Sequence, residues 1–394
     1  MKEGKALCTA IDRIQDDVVG IAKRIYDSPE LAYEEHFAVR EQINFLSSNG
    51  FAVDVGLANL PTSFKATWKR NNTDTEIAFI SEYDALPDIG HGCGHHLIAG
   101  SAVGAAVGVK RVLEDYGLGG TVSVIGTPAE ENGGGKIALL DAGCFQGVTA
   151  CLMFHPSDMS IANPRSLSNL SLVIKYYGNK AHAGESPEEG RSALSALITL
   201  FNNIDAIRMH FTSDVRAHGI ISHGGVVENI IPDFVEGLFT LRAKDLDGLA
   251  KLRQKFENCA DAAAVATDTQ FKIEEKFCYA TLTQNRELSE LFVSNLKSLG
   301  EVFAEDGEYK GFLSTDAGNV AQQVPLVHPL VSVVQGNSRC ALHTSEFARL
   351  ANTEYAYKKM IVVSKALGIT ALELMLSENT CGRIKSAFAK PEAV

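Results

Sequence analysis

Apolar residues recur at Ile11, Ile14, Val18, Ile21 and Ile25 in steps of three and four, which predicts one amphipathic helix over 6–26. Ser28-Pro29-Glu30 interrupts that pattern, and a second helix is expected over 34–46. Two β-type stretches follow at 63–69 and 76–81, the second running into Glu82-Tyr83-Asp84-Ala85-Leu86-Pro87. A helix over 97–113, rich in small residues, suits close packing on a sheet. Further along come a buried strand at 121–125, a polar and glycine-rich turn at 126–135, a helix at 136–142 and a strand at 150–154 that ends at His155. Strand, loop and helix alternate, which predicts an α/β domain around a largely parallel sheet. Polar residues gather where the strands end, the place where open α/β sheets hold ligands.

Beyond 169 the pattern changes. Strand 170–177, helix 191–209, strands 219–222 and 237–242, helix 246–264 and strand 269–276 form a strand-helix-strand-strand-helix-strand series. That order belongs to a small α+β two-layer sandwich. From about 281 the α/β signature resumes, with helix 287–299, a loop at 314–320, strand 330–334 and a terminal helix after Phe347. The expected domains are therefore 1–168 with 279–394, and an insertion at 169–278.

The 394-residue length exceeds one ordinary core, in keeping with two domains. Hydrophobic content of 45% with 21% charged residues is that of a soluble enzyme. A net charge of −12 excludes a nucleic-acid partner, which needs a basic face. Eight scattered cysteines fit a reduced, cytoplasmic compartment. Charged residues run through the first thirty positions, so no signal peptide is expected. The longest stretch without Asp, Glu, Lys or Arg is 89–109, whose apolar part is too short to span a bilayer, so no membrane partner is expected either.

Candidate chemistry concentrates in Gly90-His91-Gly92-Cys93-Gly94-His95-His96, three imidazoles and a thiol spaced by glycines. Thiolate and imidazole donors together suit zinc or another late divalent metal. In an extended loop, residues two apart leave on one side, which would aim Cys93 and His95 at one ion. Glu130 and Glu131 stand side by side after a buried strand. One carboxylate can bind metal while its neighbour faces substrate and moves the proton of water, although a solvated acidic pair at a helix start is the other reading. His155 and His343 are read singly as structural histidines. With Cys93, His95 and Glu131 they make five donors, enough for two metals if Cys93 bridges. Asp84 carries no ligand signal of its own and can orient a neighbour. The Gly-Lys at 135–136 is followed by Ile137, where a phosphate-binding loop needs Ser or Thr. A Cys93–His95 thiol hydrolase is disfavoured by their proximity on one loop, and there is no Gly-x-Ser-x-Gly elbow.

These stretches, with Lys180-Ala181-His182-Ala183-Gly184, Glu228-Asn229-Ile230-Ile231-Pro232-Asp233, Ser314-Thr315-Asp316 and Leu342-His343-Thr344, resemble the M20 family of metallopeptidases and amidohydrolases, in its branch with a Cys-Gly-His metal loop. The resemblance implies a di-metal aminopeptidase-like catalytic domain with an inserted lid used for homodimerisation, higher homo-oligomers being open. It implies two divalent metal ions, zinc or manganese, on Cys93, His95, Glu131, His155 and His343, with Glu130 as general base and acid. By the same analogy His182 holds the oxyanion, in a partner subunit's site, and Asn229 and Arg242 contact the substrate. Read without the family, His182 is an exposed loop histidine, Asn229 a turn residue and Arg242 a salt-bridged strand residue. The chain departs from the family at His96, where Asp or Asn is usual, and at Gly92, where Ala is common. An imidazole at 96 could add a ligand, orient His95 or touch substrate. The expected activity is hydrolysis of the amide bond of a small N-acyl amino acid or dipeptide-like substrate. Hydrolytic deamination of a small aromatic amine and non-catalytic metal binding are the rivals.

Overall fold

The computed structural model describes residues 2–71, 74–305, 311–336 and 339–389. Its contacts divide into two compact units, one of 1–165, 283–311 and 319–394, the other of 166–282 and 312–318.

The first unit opens with two helices, α1 (Lys2–Asp12) and α2 (Gln15–Asp27), where one was expected. Ile14 leaves helical geometry at φ −115° and ψ 4°, and Asp16 and Asp17 favour a new start in the first turn of α2. The apolar stripe runs through the break because Ile11, Ile14 and Val18 stay buried in the same core. Next come α3 (His36–Ser48) and strands β1 (Ala52–Val55), β2 (Phe64–Arg70) and β3 (Glu76–Ser81). They are followed by α4 (His95–Asp115), β4 (Gly120–Gly126), α5 (Gly135–Asp141), β5 (Ala150–Leu152) and β6 (His155–Ser157). β1 escaped the sequence reading because Ala52-Val53-Asp54-Val55 is too short to show a period, and it forms only by pairing with β2.

The sheet order is β1-β2-β4-β3-β5, with a later strand added beyond β5. β2 is antiparallel to β4, and β1 to β2, so the sheet is mixed where a largely parallel one was expected. β3, β4 and β5 are mutually parallel, so Glu82, Thr127 and Met153, the residues that follow them, leave at one edge. α4 carries glycines at 100, 104 and 108. A Cβ on Gly108 would lie 2.6 Å from Ile11, and one on Gly100 only 2.4 Å from the Met360 sulfur. These glycines let neighbouring helices, rather than the sheet alone, come close to α4. Of the described helices taken singly, α4 is long and apolar enough to cross a membrane, and 89% of its most apolar window is buried inside the fold.

The second unit contains β7 (Ser168–Tyr177), β8 (Ala181–His182), α6 (Ala193–Arg208), β9 (Arg216–His223), β10 (Ile230–Ile231), β11 (Phe234–Ala243), α7 (Leu246–Thr267) and β12 (Gln270–Tyr279). Its four-stranded sheet is antiparallel throughout in the order β12-β7-β11-β9, and α6 and α7 bury Leu197, Leu200, Leu252 and Phe256 with Leu172, Ile174, Phe239 and Leu241 of that sheet. This is the two-layer sandwich the strand-helix order predicts.

The chain then returns through α8 (Arg286–Ser298) and α9 (Ala317–Ala321), a short helix where a loop was expected. Last come β13 (Leu326–Val327), β14 (Leu330–Ser332), α10 (Ser345–Ala351), α11 (Glu354–Leu376) and α12 (Glu378–Ala389). β13 completes the large sheet by pairing parallel to β5, and β14 pairs parallel to β6 with Leu330 opposite His155.

Candidate metal centre

The centre forms where the parallel strands of the first unit end. His95 is the first residue of α4, and Gly94 turns the chain into that helix at φ 74°. The extended loop expected around Cys93 and His95 is thus replaced by a left-handed turn, which glycine adopts without a steric penalty. The turn still brings the two side chains together, since the Cys93 sulfur, His95 and His155 each offer a donor atom within 4.8 Å of the others. Cys93, Glu131 and His343 form a second such group, and His95, Glu130 and Glu131 a third.

Hydrogen bonds aim these donors. His95 Nδ1 lies 2.9 Å from Asp84 Oδ1, which leaves Nε2 pointing at the cluster. That atom is buried without a hydrogen-bond partner, 3.7 Å from Glu82 Oε2 and 4.0 Å from Glu131 Oε1. Asp84 Oδ2 also accepts the Glu131 N–H at 2.9 Å, so one carboxylate orients two candidate ligands. His155 spends Nδ1 on the Pro156 carbonyl at 2.7 Å. His343 enters from the far end of the chain at φ 61°, donates its N–H to Gly92 O at 3.0 Å, and holds Nε2 3.5 Å from Glu131 Oε2. A Cβ on Gly92 would come within 2.9 Å of Ile89 and 3.5 Å of the His343 backbone, which accounts for glycine there.

The electrostatics are those of a site built for cations. Burial, with the charges of Glu131, Glu130 and Asp84, raises the Cys93 thiol well above its ordinary pKa. A bound cation inverts that preference and takes the thiolate. Burial works against a charged His95, but Asp84, Glu82 and Glu131 outweigh it and raise its pKa. Burial and the neighbouring His95 and His328 lower His155 to about 3, leaving the neutral imidazole that ligates metals. Orphaned imidazole and carboxylate atoms around a thiol fit late divalent cations.

Two features went unread in the sequence, and one reading changes. Glu82 and Lys136 form a fully buried ion pair at 2.7 Å beside His95, although each looks like an ordinary surface residue in its local context. His328 is completely buried with its ring stacked 5.9 Å from that of His155. His96 lies apart from the ligand groups. Its Nε2 sits 3.1 Å from Ala351 O, and its ring packs with Tyr26, His91 and Tyr357 at 5.0–6.0 Å. The expectation of an imidazole beside the metals is therefore corrected. His96 follows His95 on a helix, and successive helical side chains diverge by about 100°.

The remaining predicted residues belong to the second unit. His182 in β8 pairs with Ile230, and Ala183 N–H donates to Asn229 O at 2.9 Å, so His182 and Asn229 are neighbours on one ribbon. Arg242 lies near the far end of β11, opposite Asn169 and Arg216, with burial lowering its pKa. Arg242 lies eight residue steps along the strand from Phe234, so roughly 26 Å of strand separates it from the ribbon end.

Residues 78–363 match the family described as peptidase family M20/M25/M40. The Xaa-Arg dipeptidase of Mus musculus is 36% identical over 391 residues, an alignment spanning 96% of this chain and 90% of that protein. A component of the p-aminobenzoyl-glutamate hydrolase of Escherichia coli K12 is 29% identical, with 93% of this chain and 91% of the relative covered. Among solved structures, a dinuclear metal binding peptidase of the M20 family from Bacillus subtilis superposes with a TM-score of 0.63 at 18% identity, covering 89% of this chain and 98% of that one. At that identity the likeness speaks for the fold.

Proposed function

The chain belongs to peptidase family M20/M25/M40 and is a hydrolase of C–N bonds, and we propose that it cleaves the amide of a small N-acyl amino acid or dipeptide at two divalent cations. The observation that carries this reading is the convergence of Cys93, His95, Glu131, His155 and His343 at one edge of the sheet, with Glu130 in the same cluster. Cys93, His95 and Glu131 each belong to two of the three donor groups, so the five residues would serve two neighbouring ions rather than one. The Cys93 sulfur favours zinc, and the carboxylate donors suit manganese as the second choice. The chemistry supplied by such ions is polarisation of the scissile carbonyl and acidification of the attacking water.

The chain's own groups supply the rest. Glu130 takes the proton of water and returns it to the departing amine. His182 Nδ1 accepts the N–H groups of Gly184 and Glu185 at 3.1 and 3.2 Å, so its proton sits on Nε2, a donor suited to an oxyanion. This reading assigns it to the site of a partner subunit, and assigns Asn229 and Arg242 to the substrate's polar end. A homodimer through the second unit is supported by the edge strand β9, where Ile220 and Ile221 are 61% and 42% exposed.

Metal analysis of the purified protein, followed by a panel of N-acyl amino acids and dipeptides with product identification, tests the proposal. Chelation should abolish turnover, and zinc or manganese should restore it. Glu130→Gln should lower kcat by about 10²- to 10⁴-fold with metal content unchanged. Full activity in either case rejects the assignment, and ammonia as the product from an aromatic amine would favour the deaminase instead.

A further inference from the structure

Glu130 sits on a turn that a short chain would not hold unaided. Ala129, immediately before it, has φ 60°, a left-handed conformation that a residue with a Cβ adopts only at a steric cost. Its carbonyl accepts the N–H groups of Gly133 and Gly134 at 3.0 and 2.8 Å, while its own N–H is taken by Glu35 Oε1 at 2.8 Å. Four residues along the turn, the Gly133 carbonyl accepts the Tyr33 hydroxyl at 2.8 Å. A Cβ on Gly133 would lie 2.5 Å from the Tyr33 ring, so backbone and ring are in direct contact.

Both holding residues come from the short connection ahead of α3, itself pinned at each side. Glu30 accepts the Phe37 and Ala38 N–H groups at 2.8 and 3.0 Å, and its carbonyl accepts the Ala85 N–H at 2.8 Å, next to Asp84. Glu35 is completely buried, and burial lifts its pKa to about 7. A buried carboxyl group is a costly way to fill space. What it provides here is a fixed acceptor for the Ala129 N–H.

We infer that Glu35 and Tyr33 are positioning residues for the proposed general base, clamping the 129–133 turn in its left-handed form so that the Glu130 carboxylate faces the metal cluster. The inference rests on the assignment of Glu130 above. Misplacement of a catalytic group by about an ångström can cost roughly a hundredfold in rate.

The test uses the metal-loaded enzyme. Glu35→Ala should lower kcat by about 10- to 100-fold with KM and metal content within about twofold. Glu35→Gln keeps the acceptor oxygen and should retain kcat within about threefold of the parent. Adding Ala129→Gly, which removes the strain the clamp resists, should recover about half or more of the lost activation free energy in Glu35→Ala. The inference is overturned if Glu35→Ala keeps its kcat, if Glu35→Gln falls as far as Glu35→Ala, or if Ala129→Gly deepens the defect. Should Glu35→Ala not fold, Tyr33→Phe decides alone. A fall in kcat of about three- to tenfold at constant KM supports the clamp, and an unchanged kcat overturns it. Turnover by the parent enzyme and its loss in Glu130→Gln report on the functional reading separately.

Discussion

Asp84 accepts from His95 Nδ1 with one oxygen and from the Glu131 N–H with the other, both at 2.9 Å. Asparagine keeps one acceptor and turns the second atom into a donor, so one of those contacts becomes a repulsion. Asp84→Asn should therefore weaken metal binding by about 10- to 100-fold, read by competition with a chromophoric chelator. Parent-like affinity would show that Asp84 orients neither ligand. At this scale much of the candidate centre was legible, because cysteine, histidine and paired glutamates at strand ends are chemically conspicuous. Residues recognised only by their surroundings were not. Lys136 reads only as the first residue of a helix, yet its amine is buried against Glu82. His96 reads as a possible ligand, partner of His95 or substrate contact, yet it and His91 each turn an imidazole nitrogen to a backbone carbonyl, Ala351 O and Ile25 O, at 3.1 Å.

Along α4, the three glycines at four-residue spacing decide how closely other helices approach. Gly108→Leu forces a side chain into space where a Cβ alone already meets Ile11 at 2.6 Å and Leu7 at 3.2 Å. The expected loss is about 1–3 kcal/mol, measured by denaturant unfolding. Gly382 in α12 makes the opposite case, since nothing lies within 4 Å of a Cβ built there and its backbone is helical. Gly382→Ala should add about 0.4–1 kcal/mol. A stable Gly108→Leu or a destabilised Gly382→Ala would contradict this view of the packing. Element types were readable wherever apolar period and length agreed, as in β7, α7 and β12. Boundaries were not, because they are decided by contacts remote in sequence. The single helix expected over 6–26 is broken at Ile14, and α4 starts at His95 rather than 97 because Gly94 supplies the turn.

Acid should weaken the whole molecule. His91, His155, His96 and His328 are held neutral chiefly by burial, His91 at about 4 and His155 at about 3. Unfolded, each titrates near 6.5. Between pH 6.5 and 4.5 the unfolded chain binds more protons at these four sites, so stability falls as pH falls. Glu35, raised to about 7, acts the other way, its contribution being present below 4.5 and lost as pH rises through 7. His95, raised, contributes stability that is nearly complete below 6.5 and is lost only at higher pH, so it adds little slope in this window. Four sites against one set the sign, and denaturant unfolding of chelated protein across this range should show it. Stability that rises on acidification would refute the burial argument. Assembly is open to a separate trial: Ile220→Lys on the exposed edge of β9 should yield monomers by light scattering and lower turnover, if His182 serves a neighbouring copy. The change in strand and helix order is what suggests a division into 1–168 with 279–394 and 169–278, whereas the pairings that close the large sheet carry no such signal, since they join distant segments. Leu326 pairs with Cys151 across 175 residues. During synthesis on the ribosome, β5 must therefore wait with a bare edge while the entire sandwich emerges. All four strands of the sandwich lie before residue 280, so a chain stalled before residue 326 would hold every strand of the sandwich while the large sheet still had an open, aggregation-prone edge.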